Sequence, residues 1–206
     1  MTTMIKLRRL SKLHRAGEVE TTALDRIDLD IEGGEYLAVT GPSGCGKSTL
    51  LGILGLLDAP TEGEYWFDGA NVAGWNEARL THLRRGRIGF VFQSFNLIDD
   101  LNVAENIELA LEYGPVPARE HRARVDEAMA RLGIAHRAKH RPSQLADEPT
   151  GNLDSAHGDE VMRILRELNA EGTTLVMVTH SPMHAAQATR TLRLLDGRVL
   201  VDALAA

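Results

Sequence analysis

Hydrophobic and polar residues alternate along the early part of the chain, a pattern typical of half-buried β-strands. Ile27, Leu29 and Ile31 alternate with acidic residues before Gly33-Gly34, so they predict a strand with one buried face. A second strand is predicted at residues 64–67, immediately before the tight-turn dipeptide Asp68-Gly69. The amino-terminal part of the chain is therefore predicted to contain antiparallel strands.

Other segments are apolar throughout, as strands covered on both faces of a sheet should be. Such buried strands are predicted at residues 36–40, 88–92 and 173–179. Helical spacing or a capping residue predicts helices at residues 48–57, within 102–132, at 155–168 and at 182–188. Asn102 can cap the first helix of the segment 102–132. A hairpin with strands around 192–195 and 198–201, joined by Asp196-Gly197, is predicted last. Strands that alternate with helices predict an α/β fold with a mainly parallel sheet.

Composition narrows the class of protein. A chain of 206 residues is long enough for one domain with a substantial core, and its net charge of −6 argues against a nucleic-acid binder driven by bulk charge. The single cysteine, Cys45, excludes a disulfide framework and indicates a reducing compartment. No apolar run reaches membrane-spanning length and the amino terminus has no signal-peptide pattern, so a cytoplasmic protein is expected.

One run of residues fits the phosphate-loop pattern G-x-x-x-x-G-K-[ST] at every fixed position. Glycines at three positions let the backbone curl, so that N–H groups point into one concavity at a helix amino terminus, a setting that favours phosphate. The lysine reaches the β- and γ-phosphates, and the serine hydroxyl is a ligand for Mg²⁺. The residues predicted to bind the nucleotide are Gly41, Pro42, Ser43, Gly44, Cys45, Gly46, Lys47, Ser48 and Thr49.

A second group of polar residues has the chemistry to act on a bound nucleotide. Asp147 can hold the water shell of Mg²⁺, and Glu148 beside it can polarise the attacking water as a general base. Gln93 ends a predicted strand and can reach the metal or the water, and His180 follows another strand and can bond the γ-phosphate. The alternatives are an acidic turn before a helix, a polar strand end and a structural histidine.

Taken in order, these motifs resemble those of the ATP-binding subunits of ABC transporters. The segments 88–97 and 147–155 are most similar to the macrolide-export and lipoprotein-release branch, and the resemblance covers almost the whole chain. It implies a single nucleotide-binding domain over residues 1–206: a P-loop ATPase core, an amino-terminal antiparallel β subdomain and a truncated helical subdomain at about 94–145. It also implies Gln93 in the Q-loop, Asp147 and Glu148 in Walker B, and His180 as the switch histidine.

The resemblance carries expectations about cofactors and partners. ATP and Mg²⁺ are the implied cofactors, with Ser48, Gln93 and Asp147 at the metal and Glu148, His180 and Gln93 in catalysis. The implied partners are a transmembrane permease subunit and a second copy of the nucleotide-binding domain. The chain is then expected to be cytoplasmic and peripheral on the inner face of the cell membrane.

The sequence departs from the family pattern between Leu145 and Ala146. The family has a signature motif, a helix and the apolar Walker B strand at this point, and a loss of roughly twenty residues accounts for all three. A natural or engineered deletion, a degenerate non-hydrolysing copy, and a sequence whose ends were joined across missing residues all explain the gap. A smaller departure is His14, which occupies the position of the ring that the family stacks on adenine; a solvated histidine is the alternative.

The function implied is ATP binding and hydrolysis that powers export or lipoprotein release through a membrane partner. The alternative is a nucleotide-binding, hydrolysis-deficient regulatory subunit that has lost the signature motif. A nucleotide kinase or GTPase is disfavoured, because the sequence lacks an Asn-Lys-x-Asp motif and because Glu148 and His180 would have no role.

Overall fold

The computed structural model describes residues 2–17, 19–91, 97–114, 116–143 and 153–204. Its residues fall into two compact units. The first comprises Met1–Leu80 with Ser155–Ala206, and the second comprises Thr81–Asp154. The second unit includes most of the predicted helical subdomain, while the assignment of the whole chain to one nucleotide-binding domain stays a prediction.

The elements follow one another along the chain with strands concentrated at its two ends. Those of the amino-terminal part are β1 (Thr3–Ala16), β2 (Val19–Glu32), β3 (Tyr36–Thr40), α1 (Lys47–Leu54), β4 (Glu62–Phe67), β5 (Ala70–Asn71) and α2 (Glu77–Arg84). The second unit contains α3 (Val103–Glu112), α4 (Ala118–Arg131) and a 3₁₀ turn at Ala135–Arg137. The chain then forms α5 (Leu153–Ala170), β6 (Leu175–Val178), α6 (Pro182–Ala185), β7 (Arg190–Leu195) and β8 (Arg198–Leu204).

The first unit holds two four-stranded sheets in the described residues. One is antiparallel with the order β2-β1-β4-β5, and the other has the order β6-β3-β7-β8, with β3 parallel to both neighbours and β8 antiparallel to β7. The predicted mainly parallel sheet and the amino-terminal antiparallel subdomain are therefore confirmed. Strand β3 is central because Tyr36 to Val39 are all buried, as a strand covered on both faces requires.

Local patterns set most element boundaries in agreement with the predictions. The alternation in β2 buries Ile27, Leu29 and Ile31 on one face. Asn102 caps α3 through a capping box: its side chain accepts from the N–H of Glu105, whose carboxylate accepts from the N–H of Asn102. The predicted helical segment 102–132 contains the two helices α3 and α4, and Pro117 precedes α4 in extended backbone.

Two predicted strands differ in the structure. Residues 88–91 form no strand, and Val91 is 74% exposed; residue 92 lies outside the described part. The predicted buried strand 173–179 is shorter, at Leu175–Val178, and only half-buried. Within the described residues, β6 has a ladder partner on one side alone, at the edge of its sheet. A strand at the edge of a sheet leaves one row of backbone groups without a ladder partner among the described strands, and this agrees with the low burial of β6.

None of the helices in the described residues has both the length and the apolar composition needed to cross a membrane.

Candidate functional site

The phosphate loop connects the carboxyl end of β3 to the amino terminus of α1. Gly41, Gly44 and Gly46 have φ angles of 144°, 78° and 100°, a region that favours glycine. Gly46 is the N-cap of α1, and Leu50 N–H donates to the Gly46 carbonyl at 2.9 Å as the helix begins. The N–H groups of the first helical turn have no intrahelical acceptor, so they are available to an anion.

Two of these glycines are required by close packing as well as by backbone conformation. A Cβ at Gly41 would lie 2.3 Å from the carbonyl oxygen of Leu194 and 2.7 Å from Cys45 Sγ. A Cβ at Gly46 would lie 2.4 Å from the carbonyl oxygen of Ala23. Backbone oxygens cannot rotate away as a side chain can, so the loop keeps this shape only with glycine at both positions.

Lys47 lies folded into the loop that it follows. Its side chain is buried, and Nζ donates to the carbonyl oxygens of Gly41 at 2.9 Å and Pro42 at 2.6 Å. The third contact of Nζ is with Cys45 Sγ at 3.7 Å. The ammonium therefore links the first two residues of the loop and Cys45 to the start of α1.

The back of the loop rests on the turn of the last hairpin. Gly197 N–H donates to the carbonyl oxygen of Cys45 at 3.1 Å, and Gly197 O accepts from the N–H of Asp25 at 2.8 Å. Arg198 donates to the Asp25 carboxylate at 2.5 and 2.8 Å. Hydrogen bonds from Arg198 and, secondarily, Arg26 lower the pKa of Asp25 below its ordinary value of 3.8. The only signal of this support in the sequence is the Asp196-Gly197 turn.

His180 is brought to the same sheet edge as the phosphate loop. Strands β3 and β6 are parallel with Val39 opposite Val178, and Thr179 N–H donates to the carbonyl oxygen of Val39 at 3.2 Å. The loop leaves β3 and His180 leaves β6 at their carboxyl ends, where ligands bind in open α/β sheets. The side chain of His180 is exposed, as is that of Ser48 at the start of α1.

The remaining predicted site residues are in two classes. His14 lies on β1 opposite Thr21, and its side chain is exposed. Gln93, Asp147 and Glu148 lie outside the described residues. The structure thus describes the phosphate loop, His14 and His180, and the roles assigned to all of the site residues stay predictions.

Comparison with known proteins gives consistent matches. A family model described as ABC transporter matches residues 24–151. The chain is 43% identical to the macrolide export ATP-binding/permease protein MacB of Azoarcus sp. (strain BH72), over 98% of this chain and 34% of that protein. It is 40% identical to an uncharacterized ABC transporter ATP-binding protein of Thermotoga maritima, over 91% of this chain and 90% of that protein. The chain therefore spans about a third of the length of the macrolide-export relatives it matches.

Solved structures agree in fold. A dimeric ATP-binding cassette in a post-hydrolysis state bound to ADP and Pi has a TM-score of 0.87 and 36% identity, covering 98% of this chain and 99% of its own. A dimeric bacterial ABC transporter cassette has a TM-score of 0.88 and 37% identity over the same shares. The alignment with the Azoarcus protein is 223 residues long but uses 98% of a 206-residue chain, so it contains about twenty positions without a residue here. That number agrees with the size of the predicted gap.

Proposed function

The chain belongs to the ABC transporter family, and we propose that it is the ATP-binding subunit of a transporter in the macrolide-export branch. It binds Mg-ATP, hydrolyses it to ADP and inorganic phosphate, and couples these steps to transport through a membrane-embedded permease. The observation that carries the proposal is the phosphate loop, in which three glycines with positive φ angles lead into the amino terminus of helix α1 and the buried Lys47 ammonium bonds the loop's own carbonyls.

The residues of the loop fit a triphosphate. The N–H groups of the first turn of α1 supply donors that have no intrahelical acceptor, and the glycines leave the backbone open to close approach. Lys47 supplies a charge-assisted hydrogen bond to the β- or γ-phosphate. His14 on β1 is the residue assigned to adenine, and the exposed ring of His180 is assigned to the γ-phosphate at the carboxyl end of β6.

The metal and the attacking water are assigned to four side chains. Ser48, Gln93 and Asp147 would hold Mg²⁺, which when bound neutralises charge on the phosphates. The exposed Ser48 hydroxyl, at the first turn of α1, fits this assignment. Glu148 accepts a proton from the water as it attacks the γ-phosphorus, and the bond to the ADP oxygen breaks.

The names of the relatives and the dimeric state of the matching structures support the proposed partners. Proteins named ATP-binding/permease combine this type of domain with a permease, and both matching cassette structures are dimeric. We therefore propose a transmembrane permease partner, a dimer of nucleotide-binding domains, and a position on the cytoplasmic face of the membrane. The matches with ATP-binding subunits favour this function over a hydrolysis-deficient regulatory subunit.

Binding is tested with two nucleotides that differ in phosphate number alone. Titration calorimetry should show that ATP with Mg²⁺ binds at least about tenfold more tightly than AMP, since AMP lacks the phosphates that charge-assisted bonds would hold. Equal affinity for AMP and ATP would exclude the phosphate loop as the site.

Hydrolysis is tested with a matched pair of variants. Glu148→Gln should abolish the Mg²⁺-dependent phosphate release, which we expect to be slow in this chain because the signature motif is absent, while leaving ATP binding intact. Glu127→Gln, on the exposed face of α4, should retain the rate of the unmodified chain. If phosphate release persists in Glu148→Gln, another group activates the water.

A further inference from the structure

We propose that Gly197, in the turn between β7 and β8, is a positioning residue for the nucleotide site, and that Asp25 and Arg198 hold it in place. The inference rests on the proposed function, because it concerns how the phosphate loop is kept ready for phosphate. Gly197 does not belong to the loop, and it lies about 150 positions after it in the sequence.

The carbonyl of Cys45 bonds to the turn and not to helix α1. In an α-helix this carbonyl would accept from the N–H group four residues later, which belongs to Thr49. Here the first such bond of α1 is from Leu50 to Gly46, while the Cys45 carbonyl accepts from Gly197 N–H at 3.1 Å. Within the described residues, Thr49 N–H makes no bond to Cys45. Gly197 thereby stabilises the loop in the form that leaves a helix-terminal donor for phosphate.

Both the backbone conformation and the close packing at position 197 require glycine. Gly197 has a φ angle of 74°, and a Cβ there would lie 2.8 Å from the carbonyl oxygen of Ala23. A Cβ on Gly46 would meet the same oxygen at 2.4 Å. The Ala23 carbonyl thus packs against a glycine of the loop and a glycine of the turn, and neither can gain a side chain without moving β2 away from the loop.

Asp25 on β2 and Arg198 hold the turn in place. Its carbonyl accepts from the N–H of Asp25 at 2.8 Å, and the Asp25 carboxylate accepts from Arg198, the residue after Gly197. A continuous set of bonds therefore runs from β2 through the turn to Cys45. Because the Arg198 side chain is mostly exposed, this ion pair contributes modestly, whereas the backbone bonds of Gly197 contribute directly.

The chain contains a matched control for the experiment. The Asp68-Gly69 turn has φ angles of 46° and 77°, and the Asp196-Gly197 turn has 47° and 74°. A Cβ on Gly69 would meet nothing within 4 Å. Gly69→Ala therefore imposes the same backbone strain as Gly197→Ala without the contact to β2.

Both variants of the full chain are compared with the unmodified chain by thermal unfolding without nucleotide and by calorimetric titration with Mg-ATP. We expect both substitutions to lower the unfolding midpoint. Only Gly197→Ala should raise the Kd for ATP, by about tenfold, the loss expected when a hydrogen bond to a charged group is misaligned. A residue that was merely structural would change the midpoint and leave the Kd unchanged. Equal Kd values for the two variants would overturn the proposal.

If Gly197→Ala fails to fold, a second pair of variants tests whether the turn positions the phosphate loop. Arg198→Glu should raise the Kd for ATP by about two- to fivefold, in line with an exposed ion pair. Combining Arg198→Glu with Asp25→Arg reverses the ion pair and should restore the Kd for ATP to within about twofold of that of the unmodified chain. An unchanged Kd in Arg198→Glu would overturn the proposal. Failure of the unmodified chain to bind ATP would instead overturn the proposed function itself.

Discussion

The ammonium nitrogen of Lys47 lies 2.6 Å from the carbonyl oxygen of Pro42, inside the loop that the lysine itself follows. With Gly41 O at 2.9 Å and Cys45 Sγ at 3.7 Å, each of the three N–H groups of the ammonium has an acceptor within the loop. A phosphate must therefore replace one of them. The contact with sulfur is the weakest, so we expect it to be lost first while the two carbonyl bonds keep the lysine in place.

Lys47→Ala should weaken Mg-ATP binding by about tenfold to a hundredfold, because it removes a charge-assisted hydrogen bond to phosphate together with the bonds that shape the loop. Titration calorimetry measures the effect. Lys6→Ala is the control, since Lys6 is exposed on β1 and changes the net charge by the same amount. Unchanged ATP affinity in Lys47→Ala would show that the loop assignment is wrong.

Asp25→Asn should lower the thermal midpoint at neutral pH and have no effect in strong acid. The pKa of Asp25 in the folded chain is held below 3.8 by its hydrogen bonds with Arg198 and Arg26. A depressed carboxyl pKa contributes stability above the unfolded value, and that stability is lost as the pH falls through the folded value.

The difference in thermal midpoint between the unmodified chain and Asp25→Asn should thus stay constant from neutral pH down to about pH 5. It should narrow as the pH falls below 3.8. Asp99→Asn, in an exposed segment of the second unit, serves as the control. A difference that does not depend on pH would show that the Asp25 side chain acts through its shape and not through its charge.

Restoring the segment between Leu145 and Ala146 should raise the stability of the chain. A buried strand next to β6 adds apolar burial at roughly 25 cal/mol per Å² and completes a ladder. For a chain of this size, a gain of about 2–4 kcal/mol shifts the unfolding midpoint by about 5–15 °C.

The insert is taken from a macrolide-export relative, and a Gly/Ser insert of the same length at the same point is the control. Thermal and urea unfolding of the three chains are compared with and without Mg-ATP. Equal midpoints for the unmodified and restored chains would mean that another segment already pairs with β6.

The same insertion should raise the rate of ATP hydrolysis. By resemblance, the signature motif of one domain supplies donors to the γ-phosphate held by its partner, and the loss of a preorganised donor costs a factor of about 10²–10³. We expect phosphate release by the unmodified chain to be very slow and the restored chain to be at least about a hundredfold faster.

Glu148→Gln in the restored chain should return the rate to background, which separates true turnover from contamination. Rapid Glu148-dependent hydrolysis by the unmodified chain would contradict this expectation, because it would make the signature motif dispensable here.

The sequence predicted those features that depend on neighbouring residues. The alternation around Leu29, the apolar strand β3, the Asn102 cap and the Asp196-Gly197 turn all follow from local pattern or local hydrogen bonding. The phosphate loop was predictable for the same reason, since its glycines and lysine occupy one continuous run.

The features that were missed depend on residues far apart in the chain. Segment 88–91 has the composition of a buried strand, but composition cannot supply a neighbouring ladder, and the segment forms no strand. The bond from Gly197 to Cys45 was invisible for a related reason, because it uses backbone atoms that every residue possesses. Only the folded arrangement shows which carbonyl lies opposite which N–H.

The position of β3 between β6 and β7 has a consequence for synthesis on the ribosome. Residues 36–40 are made early, but both of their ladder partners belong to residues 175–195, and the turn behind the loop comes at 196–197. The nascent chain must therefore carry an apolar strand and an unsupported glycine-rich loop until residue 197 has emerged. Contacts so distant in sequence form late. A chain released before residue 197 would hold the entire phosphate-loop motif and still lack the backbone that shapes it.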